Sequence, residues 1–356
     1  MYLCNESDAY LFPKIMSTIL DHKSEEFVLS TNNNSKETNN VQTLYFSSDE
    51  SNGNNHSNET NSNNSHLYQL SNMSFSKIIT KHGHGLNAPN EGSQCKIYVK
   101  NLSINYLLDY NEHCNDLLPF EKEQDIQLGF YKTIIADYIH KCLFTMKKNE
   151  KCELTFEYCS QSVQEQSNIE TSSSVHFDMK FLVHLIDFER QCEIYNMPIQ
   201  TLYDYALIHK QNANIFFEKK IYSYALKLYH RSLSYASNFT TDEPNEENNE
   251  LLKELDKLIV SIYTNIAALQ LKYSNNHSVI INCSHALYLE PTYIKALFRR
   301  GCAYLNLNDY ELALNDFRLA QTLEPNDVKI QQYLKQTTQK LEQYEKTLSN
   351  SLKKLF

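Results

Sequence analysis

The chain has 356 residues, room for two domains and some unstructured sequence at about 100–200 residues per domain. Its 41% hydrophobic residues include 25 Tyr and 17 Phe but no Trp, which is enough to fill real cores, and 6 Gly with 7 Pro exclude a collagen-like or Pro-rich fibre. A net charge of −10 works against nucleic acid or an anionic membrane as a general partner, because both need a basic face to replace counterions, so any anion-binding site has to be local.

At the N-terminus, Met1 to Asp8 carries acids, with no basic stretch leading into an apolar run, and nowhere does the chain reach the roughly 18 apolar residues of a membrane helix. The nine Cys are odd in number, scattered from Cys4 to Cys302, and never spaced Cys-x-x-Cys. They read as reduced thiols, with neither a disulfide framework nor a metal site, and a cytoplasmic location follows as the expectation. No cofactor is implied. The piece from Tyr10 to Leu20 is short and apolar, and its partner is open. From Ser30 to about Ser65, Asn and Ser dominate, so residues 1–68 are expected to be largely disordered, since such a tract buries too little apolar surface to offset its chain entropy.

Residues 69–190 carry short alternating runs, Lys96-Ile-Tyr-Val-Lys100, Glu153-Leu-Thr-Phe-Glu157 and Val175 to Phe188, which predict strands of an antiparallel sheet. Between them Ile135, Ile139, Cys142, Leu143 and Met146 stand at helical spacing. One helix among several strands predicts an α+β domain.

Residues 191–356 are helical in pattern, and a repeat governs them. Leu297, Gly301, Tyr304, Ala313, Phe317, Ala320 and Pro325 fall at the tetratricopeptide positions, where small residues let two helices of a hairpin approach and large ones fill the gaps. Aligning Ala213 and Ala267 with Gly301 gives three repeats, about 206–239, 260–293 and 294–327. An acidic stretch, Thr240 to Asn249, separates the first two, and the helix after it is expected to lengthen backward over Leu251 to Leu258. Beyond the third repeat, Ile330, Leu334, Leu341, Leu348, Leu352 and Leu355 continue a stripe that predicts a capping helix. Its lysines, Lys335, Lys340, Lys346, Lys353 and Lys354, raise calmodulin as a possible partner, against which Glu342 and Glu345 count.

The first helix of each repeat lines the concave face, and its solvent-facing positions there are free of packing duty. They hold Lys210 and Asn214, then Asn265, then Lys295 and Arg299. Lys210/Asn214 and Lys295/Arg299 are i, i+4 pairs, so each pair shares one face of its helix. Cations converging inside an acidic chain suit a carboxylate, for which charge-assisted bonds are the strong ones. These residues, in Lys210-Gln-Asn-Ala-Asn214, Thr264 to Lys272 and Lys295 to Gly301, resemble the carboxylate clamp of tetratricopeptide co-chaperones. Ala213 stands where that family has Gly, a small-for-small change. The resemblance implies that Lys210, Asn214 and Asn265 hold the terminal carboxylate of a Glu-Glu-Val-Asp tail of heat shock protein 90 or 70, while Lys295 and Arg299 engage its side-chain carboxylate or backbone. Apolar pockets beside the clamp are expected at Phe217, Tyr229 and Phe298.

From Asp187 onward the chain resembles the large FK506-binding immunophilins, including the aryl-hydrocarbon-receptor-interacting branch with the same layout. In the preceding domain Gly83-His-Gly85, Gly92-Ser, Lys96-Ile-Tyr98, Gln127-Leu-Gly129, Met146 to Glu150 and Val183 to Phe188 resemble the skeleton of an FKBP-like fold. An active prolyl isomerase of that kind needs an aromatic-walled pocket around the prolyl amide. Matching positions hold Tyr98, Asp109 and Phe181, but the pocket-floor Trp aligns with Ile139, and the loop that supplies a Tyr and an apolar flap is the polar run Ser160 to Ser174. The expectation is a degenerate pocket without efficient catalysis, and a domain that serves contact with clients or with the chaperone. The alternative is a working peptidyl-prolyl cis/trans isomerase.

Overall fold

The computed structural model describes residues 41–44, 75–103, 121–160, 175–238 and 246–353. Asp109, the segment Tyr10 to Leu20, most of the Asn/Ser tract, residues 161–174 of the polar run and residues 239–245 of the acidic stretch lie outside the described residues.

In the described residues the first domain is an antiparallel sheet packed on a helix. In chain order it contains β1 (Val41–Leu44), β2 (Phe75–Lys81), β3 (Gln94–Asn101), β4 (Glu123–Gln127), α1 (Ile134–Leu143), β5 (Glu150–Ser160) and β6 (Val175–Glu189). The strands lie in the order β1-β2-β5-β6-β3-β4. β1 amends the expected disorder: it pairs with β2 in the register Val41↔Ile78 to Leu44↔Phe75. The reason is local, because Val41-Gln-Thr-Leu-Tyr-Phe46 is an Asn-free, β-prone island inside the tract.

Strand alternation puts one side chain in two against α1. Cys95, Ile97 and Val99 of β3, Cys152, Leu154 and Phe156 of β5, and Met179, Phe181, Val183 and Leu185 of β6 are all buried. They meet Ile135, Tyr138, Ile139, Cys142 and Leu143 of the helix, whose start is set by Thr133, its Oγ1 accepting from the Ala136 amide at 3.2 Å. Tyr138 and Phe156 stack with ring centroids 4.1 Å apart. Among these apolar groups lies one charge pair, Lys77 Nζ 2.6 Å from Glu150 Oε1, with side chains 2% and 5% exposed. Lys77 also donates to the Thr145 carbonyl at 3.1 Å.

Seven helices follow: α2 (Ile199–Glu218), α3 (Tyr222–Ser237), α4 (Glu246–Lys272), α5 (Asn276–Leu289), α6 (Ile294–Asn306), α7 (Tyr310–Leu323) and α8 (Val328–Lys353). Each hairpin, α2–α3, α4–α5 and α6–α7, turns through the same device. A left-handed residue, Lys220, Ser274 or Asn308, has φ of 60°, 57° or 65°. The next amide, of Ile221, Asn275 or Asp309, then donates to the carbonyl five residues back, of Phe216, Gln270 or Tyr304. This closure ends the first helix and aims the second along it. The hairpins pack tightly because Ala213, Ala267 and Gly301 face the partner helix; a Cβ on Gly301 would sit 2.7 Å from Phe317 Cε1. α4 extends backward past its hairpin partner, burying Leu255 and Leu258. α8 covers the end of the solenoid with Ile330, Tyr333 and Thr337, then projects with Tyr344, Leu348 and Leu352 exposed.

Candidate functional site: a groove of unpaired cations

The first helices of the three hairpins lie side by side, α2 against α4 and α4 against α6. Their shared face carries the sequence-predicted residues. Asn214 on α2 is the hub: its Oδ1 accepts from Tyr229 OH at 2.6 Å and from Asn265 Nδ2 of α4 at 3.4 Å. Arg299 on α6 reaches back to α4, its Nη1 donating to the Thr264 carbonyl. Lys210 lies one turn from Asn214 and is half-buried; Lys295 lies one turn from Arg299 and is exposed. Asn214 and Asn265 are therefore in direct contact, Arg299 is tied to the backbone one residue before Asn265, and the two lysines lie one turn away on α2 and α6.

The cations of this face stand apart from the ion-paired ones elsewhere in the chain. Among the described residues none of Lys210, Lys295 and Arg299 has a carboxylate within ion-pair distance, whereas Lys77, Lys96, Lys100, Lys141, Lys148, Arg231 and Arg300 each do. Burial alone pushes Lys210 below the ordinary lysine range, and burial is also the main cause that lowers Arg299. The Tyr229 phenol is pushed up to about 12 by burial, with Arg299 and a hydrogen bond to Asn265 acting the other way. Partly desolvated cations without counter-charge are a cost in the free protein that an incoming carboxylate removes.

The apolar residues expected beside the clamp separate into two roles. Phe217 is half-buried against Tyr222, centroids 5.6 Å apart, and Phe298 is half-buried against Phe317 and Tyr333, with Lys329 Nζ 5.0 Å above its ring. Tyr229 is only 2% exposed and holds Asn214 from beneath, a support rather than a pocket wall. The sequence names Tyr229 beside the clamp, and nothing in its spacing distinguishes a wall from a buttress.

In the sheet domain Ile139 and Phe181 are fully buried, and Phe181 stacks on Phe156 with centroids 5.7 Å apart. Tyr98 is half-buried on β3, paired across the sheet with His184 and Glu123. The described residues bring Ile139 and Phe181 together as core.

The tetratricopeptide-repeat family pattern matches residues 294–327. Over 252 residues, 69% of this chain, the sequence is 26% identical to the peptidyl-prolyl cis-trans isomerase FKBP4 of Rattus norvegicus, and the match covers 50% of that protein. The chain thus spans about half the length of the curated relatives it matches. Among solved structures, the C-terminal repeat domain of a Plasmodium falciparum FK506-binding protein is 24% identical, with 43% of this chain and 99% of that one covered and a TM-score of 0.40. The first tetratricopeptide domain of Spaghetti, bound to the heat shock protein 90 peptide SRMEEVD, is 24% identical, covering 39% of this chain and 95% of that one at a TM-score of 0.33. The curated relatives are FKBP-type prolyl isomerases, and they do not point specifically to the aryl-hydrocarbon-receptor-interacting branch. The chain is thus similar over 69% of its length to an FKBP-type prolyl isomerase and carries the tetratricopeptide pattern at 294–327; its described residues form an antiparallel sheet packed on a helix, followed by a run of helix hairpins.

Proposed function

We propose that the chain is a cytoplasmic co-chaperone adaptor that takes the C-terminal Glu-Glu-Val-Asp tail of heat shock protein 90 or 70 in the groove of its repeats. The observation that carries the reading is the set of cations, Lys210, Lys295 and Arg299, without carboxylate partners among the described residues, around the Asn214–Asn265 pair. In this reading Lys210, Asn214 and Asn265 bind the terminal carboxylate and Lys295 and Arg299 take a side-chain carboxylate or the tail backbone. Recognition is by charge-assisted hydrogen bonds, with Phe217 and Phe298 offering apolar contact to the residues before the terminus. A short tail buries little area and binds in the micromolar range, about 8 kcal/mol. Added salt weakens it.

The sheet domain in this reading is an interaction domain and not an isomerase, since Ile139 and Phe181 are part of a filled core. The name of the FKBP4 relatives denotes isomerase activity, and a proline-peptide turnover assay decides the point for this chain: no rate above background is expected. The test of the main reading is calorimetric titration of the full chain with Met-Glu-Glu-Val-Asp as free acid and as C-terminal amide. Saturable binding of the acid that the amide loses supports the clamp; equal behaviour of the two peptides overturns it.

A further inference from the structure

α2 is the end helix of the solenoid, and an end helix needs a neighbour on its open side. Here the sheet domain supplies it through two loops, 90–93 and 127–131. Phe130 packs on Tyr205 and His209 of α2 with centroids 4.7 and 4.6 Å apart, and Tyr131 meets Phe216. Gln127 Nε2 donates to Tyr205 OH at 2.7 Å. Asn90 pairs with the backbone of Gln191 in both directions, Nδ2 to the carbonyl at 2.8 Å and the amide to Oδ1 at 3.1 Å.

At the centre of this contact lies Glu91, its side chain 14% exposed. Arg231 of α3 donates Nε to Glu91 Oε1 at 2.8 Å, and its second nitrogen contacts Oε2. His209 Nε2 lies 3.2 Å from Oε1; burial pushes this imidazole down to about 3, so it faces the carboxylate as a neutral ring. Two glycines make the approach possible. Gly92 and Gly129 have φ of +83° and +97°, and a Cβ on either would sit 2.9 Å from Tyr205 Cε2 or 2.7 Å from Glu91 Cγ.

His209 is followed directly by Lys210. The face of α2 that carries Tyr205, His209 and Phe216 against the sheet domain adjoins the stripe of Lys210 and Asn214 that faces the groove. Whatever holds the first face sets the position of the second. We propose that Glu91 is a positioning residue for tail binding: its carboxylate, held by Arg231 over His209, fastens α2 and α3 to the sheet domain and thereby sets where Lys210 and Asn214 stand. This rests on the tail-binding reading above.

The test titrates the full chain with free-acid Met-Glu-Glu-Val-Asp and compares Glu91→Gln, Arg231→Gln and the double variant. Each single change is expected to weaken binding about five- to tenfold, the lower end of couplings between distinct sites. The double variant should be no weaker than either single, since one contact is lost in all three. Binding should keep one peptide per chain; a merely structural defect would lower the bound fraction and leave the affinity of the folded remainder alone. Backbone hydrogen exchange without peptide is the second readout, expected to quicken in α2 of Glu91→Gln and not in α6. Wild-type affinity in the single variants, or unchanged α2 exchange, overturns the proposal while the tail reading stands. A wild-type chain indifferent to the peptide overturns both.

Discussion

The chain buries lysine in two ways. In the sheet domain Lys77 is 2% exposed and carries its own carboxylate, Glu150, at 2.6 Å. In the groove Lys210 and Arg299 are partly buried with no carboxylate beside them among the described residues, and both are depressed by burial. Where a charge serves the fold, the fold contains its partner. Where the partner is absent, the desolvation cost remains for a ligand to offset.

Breaking the internal pair should have the largest effect. Glu150→Ala leaves Lys77 buried without a counter-charge, and a loss of about 3–5 kcal/mol is expected, seen as a large fall in the urea unfolding midpoint. Removing a groove cation should not resemble it at all.

Acid should come next and act through two buried imidazoles, His140 in the sheet domain and His209 on α2, the latter held down to about 3 by burial. Burial holds His140, whose Nδ1 accepts from the Gly129 amide at 2.9 Å, down to about 4. Unfolded histidine titrates at about 6.5. Between these values the unfolded chain binds a proton that the folded one does not, so the contribution is complete above the unfolded value and shrinks as pH falls. For His140 the loss at about pH 5 is on the order of 2 kcal/mol, read from urea midpoints, and His140→Asn should remove that share of the profile and leave the His209 share.

Lys295→Ala tests the groove directly. It should weaken the tail peptide about tenfold, about 1.4 kcal/mol, without moving the unfolding midpoint. A midpoint that moves with it would mean that Lys295 serves the fold, and the contrast with Lys77 would collapse. Tyr229→Phe is the smallest and sharpest probe. It removes one hydrogen bond to Asn214 and leaves the packing, so tail affinity should drop by about 1 kcal/mol.

Much of the architecture was legible because it repeats or alternates. The small residues at Ala213, Ala267 and Gly301 mark the helix hairpins, and the alternation of Cys95, Ile97 and Val99 marks a strand. The pairing of Lys210 with Asn214 and of Lys295 with Arg299 on one helix face each is legible in the same way, since i, i+4 spacing fixes it before any tertiary contact is known. β2 was missed, because Phe75-Ser-Lys-Ile-Ile-Thr-Lys81 hides a buried charge at its centre and so breaks the apolar alternation. Tyr229 was misjudged as a pocket wall for a related reason: pattern places a side chain on a face, and only its neighbours decide whether that face is open.

The sequence by itself determined the helix hairpins and the sheet-forming runs, because each follows from spacings within a few residues. Tertiary structure alone decided that Lys77 meets Glu150 and that Asn214 rests on Tyr229. It also decided that Glu91 meets Arg231, which lies 140 residues further along the chain. Contacts of that separation leave no periodic trace, since they depend on how two independently patterned domains come to rest against each other.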